Sequence, residues 1–186
     1  MKVAIGLKAH SGWAALVTLG RRSGSLVVCA RQRIDLVEEP WAKQPYHAAE
    51  RLEPGPAREL VAKGIAMARR VAIAELQAVI ARERSQQHSV EACAVLIGSP
   101  MPSWTVDEIL AVHFRMHKAE GVLFRDVLAD AARACALKLF PIPERELGTR
   151  SRLSKQIASL GATVGPPWGK DQKDAALAAL IALEHD

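Results

Sequence analysis

Apolar positions in this chain come first as short continuous runs and later at helical spacing. Residues 2–7, Lys-Val-Ala-Ile-Gly-Leu, suit a buried strand. Ala9–Gly12 reads as a turn, Trp13–Leu19 as a second strand, Gly20–Gly24 as another turn and Leu26–Leu36 as a third strand. In the third run Ala30, Gln32 and Ile34 alternate with Arg31, Arg33 and Asp35, the period of a half-buried strand. Three such runs joined by short turns predict an antiparallel meander.

Residues 38–56 hold Pro40, Pro45, Pro54 and Pro56 and predict a long irregular connection. Pro56 suits the first turn of a helix, where its missing N–H costs nothing. Leu60, Gly64, Ala68, Val71, Glu75 and Val79 follow at spacings of three and four, so a helix is predicted over Ala57–Arg84. Ala92–Ile97 predicts a buried strand that ends at Gly98-Ser99-Pro100. Thr105 and Glu108 stand at capping-box spacing and predict a helix from Val106 to Ala119. Gly121 is expected to interrupt it before a further helix over Phe124–Ala136. Leu137–Ile142 predicts a strand stopped by Pro141 and Pro143. Arg150–Leu160 reads as a short helix or helical loop, residues 161–170 as a Gly- and Pro-rich loop, and Asp171–Glu184 as an Ala- and Leu-rich closing helix. Meander followed by helix–strand alternation predicts an α/β domain, a mixed sheet with helices on both faces.

Composition narrows the class. A chain of 186 residues fits one domain, and 49% hydrophobic with 24% charged residues excludes a disordered chain. No apolar run reaches the roughly 18 residues of a membrane span. Lys2, Lys8 and His10 break up the start, which is unlike a secretory signal, so a cytoplasmic protein is expected. Cys29, Cys93 and Cys135 are odd in number and far apart, and predict buried small hydrophobes rather than disulfides or a Cys-only metal site. The net charge is +5, and sixteen of the 25 basic residues are Arg, a side chain suited to phosphate.

Two stretches carry a family resemblance. Val3–Leu16 reads Val-Ala-Ile-Gly-Leu-Lys-Ala-His-Ser-Gly-Trp-Ala-Ala-Leu, a strand and tight turn followed by a Gly-Trp-Ala opening of the next strand. Asp171–Leu180 reads Asp-Gln-Lys-Asp-Ala-Ala-Leu-Ala-Ala-Leu, two carboxylates three apart opening an Ala-rich helix. With the element order, these resemble the ribonuclease H-like superfamily and its Holliday-junction resolvase-like domains. The actin-like ATPase fold shares the opening hairpin. The resemblance implies a ribonuclease H-like mixed sheet, DNA or RNA as partner, and carboxylates around two divalent metal ions about 3.5–4 Å apart. By motif position the first-strand acid falls on Lys8 and the fourth-strand acid near Gly98, beside Ser99. Only Asp171 and Asp174 stand where acids are expected, so the acidic site is degenerate. An inward Lys8 needs a counter-ion, and Asp171 or Asp174 is the natural one, forming a salt bridge in the place of the metal.

Each candidate has a plainer alternative. Asp171 and Asp174 serve as a helix cap and dipole partners, or face a catalytic cleft as metal ligands. Lys8 and His10, with Ser11, form a solvated hairpin tip, or a phosphate binder beside a proton carrier. His113, His117 and Glu120 share one helical face with Ile109 and Met116, as chance polar placement, a metal site or an acid–base pair. Arg69, Arg70, Arg145, Arg150, Arg152 and Lys155 are a solvated surface or a nucleic-acid phosphate surface. Trp13, Trp41, Trp104 and Trp168 are scattered, which does not suit base stacking, and Trp168 is expected to pack the loop before the last helix. No phosphate loop, nucleophile elbow or Cys/His zinc spacing is present.

The leading expectation is a single ribonuclease H-like domain over residues 1–186, acting as a nucleic-acid-associated or assembly module with a degenerate metal site. A second is an active metal-dependent nuclease or hydrolase with Asp171, Asp174, Glu120 and His117 around one divalent ion. A third is a phosphate- or nucleotide-binding protein of the actin-like kind. A homo-oligomer stays open.

Overall fold

A computed structural model describes residues 1–185. Five strands, β1 (Lys2–His10), β2 (Trp13–Arg22), β3 (Ser25–Asp35), β4 (Ser89–Ile97) and β5 (Lys138–Pro143), form one sheet in the order β3-β2-β1-β4-β5. The pairs β1–β2 and β2–β3 are antiparallel, and β1–β4 and β4–β5 are parallel. The expected meander and mixed sheet are therefore present. The hairpin turns are tighter than predicted, Ser11-Gly12 and Ser23-Gly24, so β1 extends through Lys8 to His10. Gly12 takes a φ of 83°, which a residue with a Cβ rarely adopts.

The helices are α1 (Pro45–Ala49), α2 (Pro54–Ser85), α3 (Val106–Leu110), α4 (His113–Ala134), α5 (Glu144–Leu147), α6 (Ser151–Ser159), α7 (Gly161–Val164) and α8 (Lys170–Glu184). A 3-10 turn over Pro40–Lys43 precedes α1, so the Pro-rich stretch is more ordered than expected. Thr105 and Glu108 form the expected capping box, but it starts only the five residues of α3. The break falls at Ala111-Val112, and α4 runs unbroken through Gly121, whose missing side chain would point into open space. A glycine there costs helix stability of about 1 kcal/mol, which the buried Leu123, Phe124 and Leu128 outweigh. Pro141 and Pro143 lie within β5, which tolerates them because it is an edge strand. The buried stripe of α2 runs through Val61, Ala68, Ala72, Leu76 and Val79 rather than through Leu60, Val71 and Glu75.

Strand alternation divides the core. Ile5 and Leu7 of β1, Leu16 of β2 and Cys93 and Val95 of β4 face α1, α2 and α4. Ala4 of β1, Val17 of β2 and Ala92 and Ala94 of β4 face α8, with Leu147 of α5 and Ile157 of α6. The second face is lined with small residues, and α8 matches it with Ala175, Ala176, Ala178, Ala179 and Ala182, all buried. Small residues on both sides let backbones approach closely. A Cβ on Gly6 would lie 1.9 Å from the Ala175 carbonyl oxygen and 2.8 Å from the Ala179 nitrogen. Of the cysteines, Cys93 is fully buried while Cys29 and Cys135 are half-buried, and all three are free thiols. No helix of the described residues is long and apolar enough to cross a membrane.

Candidate functional site

Period-two alternation along β1 puts Lys8 and His10 on the same side as Gly6, the side that α8 crosses. Immediately before the Ala175 contact α8 presents Asp174, and one helical turn before that contact it presents Asp171. The Lys8 ammonium lies 2.6 Å from Asp174 Oδ2 and 3.1 Å from Asp171 Oδ1. Its side chain is only 10% exposed, so the ion pair is largely withdrawn from water. Lys170 also reaches Asp174 Oδ2, from the solvent side. Burial works against the Lys8 charge, but hydrogen bonds and charge from Asp174 and Asp171 outweigh it and hold the ammonium above its ordinary pKa. Burial likewise works against ionisation of Asp171, yet Lys8 and His10 hold that carboxyl below the usual range.

His10 completes the cluster. Its Nε2 is 3.2 Å from Asp171 Oδ2, within ion-pair reach but off the direction of a hydrogen bond. The ring stacks on Trp13 at 4.2 Å between centroids and 9° between planes, and the Arg33 guanidinium lies 4.0 Å from the Trp13 centroid. Arg33 is fixed in turn by two hydrogen bonds to Asp35 Oδ1. The loop leading into α8 is held by Arg31 of β3, which donates to the carbonyls of Val164, Gly165, Pro166 and Pro167. Trp168 packs that loop as expected, its indole N–H bonding the Ile157 carbonyl at 3.0 Å.

The capping role expected for the two aspartates is not what the structure has. The N-cap of α8 is Gly169, whose N–H donates to Gln172 Oε1 at 2.9 Å, and Asp171 is inside the first turn. The expected counter-ion role is present, with both carboxylates engaged. At the end of β4, Gly98 carries the Arg125 guanidinium against its backbone; a Cβ there would meet Arg125 Nη1 at 2.2 Å. Arg125 pairs with Glu144 at 3.0 Å. A second cation thus stands near the place of the expected fourth-strand acid.

The four-residue metal site of Asp171, Asp174, Glu120 and His117 does not assemble. Asp171 and Asp174 meet Lys8 under α8, whereas Glu120 and His117 belong to α4, on the other face of the sheet. Glu120 is buried there and accepts from the Tyr46 and His47 backbone N–H groups at 2.9 and 3.3 Å. Burial pushes its carboxyl above the ordinary range against those hydrogen bonds. His47 was invisible to helical spacing because it comes from α1, inside the Pro-rich stretch.

The basic residues are dispersed. Arg69 pairs with Asp130, which Arg133 also holds, while Arg70 is exposed on α2. Arg145 lines a cleft of about 730 Å³ at the ends of β4 and β5, with Arg125, Asp126 and Glu144. Arg69 lines an adjoining cleft that shares Met101, Val122 and Asp126 with the first. Arg152 and Lys155 are exposed on α6, beside half-buried Arg150.

No family model and no curated protein matches the chain. Among solved structures it is similar to the Thermus thermophilus RuvC structure, with 13% identity, 96% of this chain and 91% of that chain covered, and a TM-score of 0.50. It is similar also to T. thermophilus RuvC in complex with Holliday junction substrate, with 13% identity, 96% and 90% coverage, and a TM-score of 0.51. Sheet order, strand directions and these likenesses together give the chain a ribonuclease H-like fold.

Proposed function

We propose that residues 1–186 form one ribonuclease H-like domain that associates with nucleic acid and does not cleave it. The observation that carries this reading is the Lys8 ammonium, at 2.6 and 3.1 Å from the two carboxylates. A two-metal nuclease needs its carboxylates free to bind cations that activate water and stabilise the leaving oxygen. Here one ammonium already sits between both carboxylates, with Lys170 also on Asp174, and neither cation has Lewis acidity to offer. A divalent ion would have to displace a cation that is tethered to β1.

Association with nucleic acid is supported by the net charge of +5, by the exposed Arg152 and Lys155 beside Arg150, and by the fold shared with a protein solved on a Holliday junction. Fluorescence anisotropy with labelled four-way, duplex and single-stranded DNA and with RNA tests it. Binding is expected to weaken steeply between 50 and 200 mM salt and to be unchanged by EDTA, because contact with phosphates releases counterions. The triple variant Arg150→Ala/Arg152→Ala/Lys155→Ala is expected to lower affinity and flatten the salt slope by about one to three counterions. No binding at 50 mM salt to any of these probes would overturn the nucleic-acid reading.

A further inference from the structure

On the face of the sheet opposite Lys8, α1 and α4 bring three histidines together. His47 comes from α1, and His113 and His117 stand one turn apart on α4. One ring nitrogen of each lies within 4.8 Å of one from both others. His113 Nε2 and His117 Nε2 are 3.0 Å apart. Two nitrogens bound to a tetrahedral Zn²⁺ at about 2.0–2.1 Å stand about 3.3 Å apart, so this pair needs only a small adjustment. The His113 ring is nearly perpendicular to the other two, at 87° and 86°, so the rings meet by their edges rather than by stacking.

The surroundings of the rings add independent observations. His47 Nδ1 lies 3.4 Å from Glu120 Oε1, and His113 Nδ1 lies 3.7 Å from Glu50 Oε1. A carboxylate at Nδ1 favours the tautomer whose Nε2 lone pair is free, the usual support for a metal-bound histidine. His47 Nε2 is shielded from solvent and has no hydrogen-bond partner. Glu120 Oε2 is likewise unpartnered, in a side chain only 5% exposed. Leaving buried polar atoms unpaired costs free energy. A hydrogen bond between His113 and His117 would explain their 3.0 Å separation but not the unpaired His47 nitrogen. Among the described residues the other cluster of suitable side chains, Cys29, Glu83 and His88, is already committed: His88 Nδ1 and Glu83 Oε2 are 2.7 Å apart, and burial pushes the Cys29 thiol up to about 11.

We propose that His47, His113 and His117 bind one Zn²⁺ through ring nitrogens, with Glu120 and Glu50 orienting His47 and His113 and the fourth position open to water. Three neutral imidazoles suit zinc, and the exposure of His113 and His117 gives the ion an entry path. Bound zinc pins α1, and with it the Pro-rich segment, to the long helix α4. The site shares no residue with the Lys8 cluster and stands or falls independently of nucleic-acid binding.

The test is a Zn²⁺ titration of the full chain against a chromophoric chelator at pH 7.5. One equivalent is expected to bind. His117→Ala and His47→Ala are expected to weaken it about a hundredfold or more, and Glu120→Gln about 10- to 100-fold. Asp171→Ala is expected to leave it unchanged. Retained affinity in His47→Ala would overturn the proposal, reducing the site to a pair of surface histidines. Absence of stoichiometric binding, or its loss in Asp171→Ala, would overturn it as well. Because Glu120 is buried and His47 half-buried, the wild-type chain supplies a second readout: imidazole nitrogen resonances of three histidines are expected to move together on adding one equivalent. Movement of fewer than three contradicts the proposal.

Discussion

Replacing Lys8 by Met keeps most of the side-chain volume and removes the charge, leaving Asp171 and Asp174 facing each other across one helical turn. Removing one partner of a fully buried pair costs about 3–5 kcal/mol. Asp171 is 37% exposed and Lys170 remains on Asp174, so screening lowers the expectation to about 2–3 kcal/mol. For a domain of this size that corresponds to a fall in Tm of about 4–12 °C. The sign of the pH dependence follows from the two shifts. The Lys8 pKa is raised, so its contribution is complete below about 10.4 and fades as pH rises through the folded value. The Asp171 pKa is lowered, so its contribution is complete above about 3.9 and fades as pH falls through the folded value. Urea denaturation of wild type and Lys8→Met from pH 3 to pH 8 should show the full difference across the neutral range and a smaller one at the acid end, where protonated carboxyls no longer repel. A Lys8→Met protein as stable as wild type at pH 7, or a gap that widens toward pH 3, would refute the reasoning.

Other outcomes follow from the same contacts. Gly6→Ala places a methyl against the backbone of α8 and should cost at least the 1–3 kcal/mol of an overpacked core, read by urea denaturation; Gly24→Ala, which meets no atom within 4 Å but has a φ of 82°, serves as a milder comparison. Arg31→Ala frees four carbonyls of the loop before α8 and should speed proteolytic cutting between residues 160 and 169, with a stability loss of about 1–3 kcal/mol. An unchanged digestion pattern would show that the clasp does not order the loop.

Much of the frame was legible because it rests on strong local signals. The meander follows from short apolar runs punctuated by glycine turns, and the closing helix from its alanines. The Lys8 pairing was legible because a lysine at the end of the first strand needs a counter-ion once it points inward, and the chain offers two acids opening a helix that must cover the sheet. Gly121 misled because a glycine on the solvent side of a helix is a modest penalty, outweighed by the packing of its neighbours. On α2, Gly64, Ala68 and Val79 lie on the buried face, but Leu60, Val71 and Glu75 miss it by one residue because the many alanines and arginines give little contrast between faces. His47 escaped notice because prolines around it suggested irregular chain, whereas Pro45 in fact starts α1. The clasp of Arg31 on backbone carbonyls has no sequence signature, since carbonyls are common to every residue.

The most direct test of the Lys8 site is a cleavage assay on labelled four-way junction and duplex DNA with Mg²⁺ or Mn²⁺, run beside the binding titration. The expected result is DNA bound intact, with no product above background in wild type or in Asp171→Ala. Metal-dependent cleavage by wild type that disappears in Asp171→Ala would contradict it, because Asp171 would then be holding a metal ion rather than Lys8.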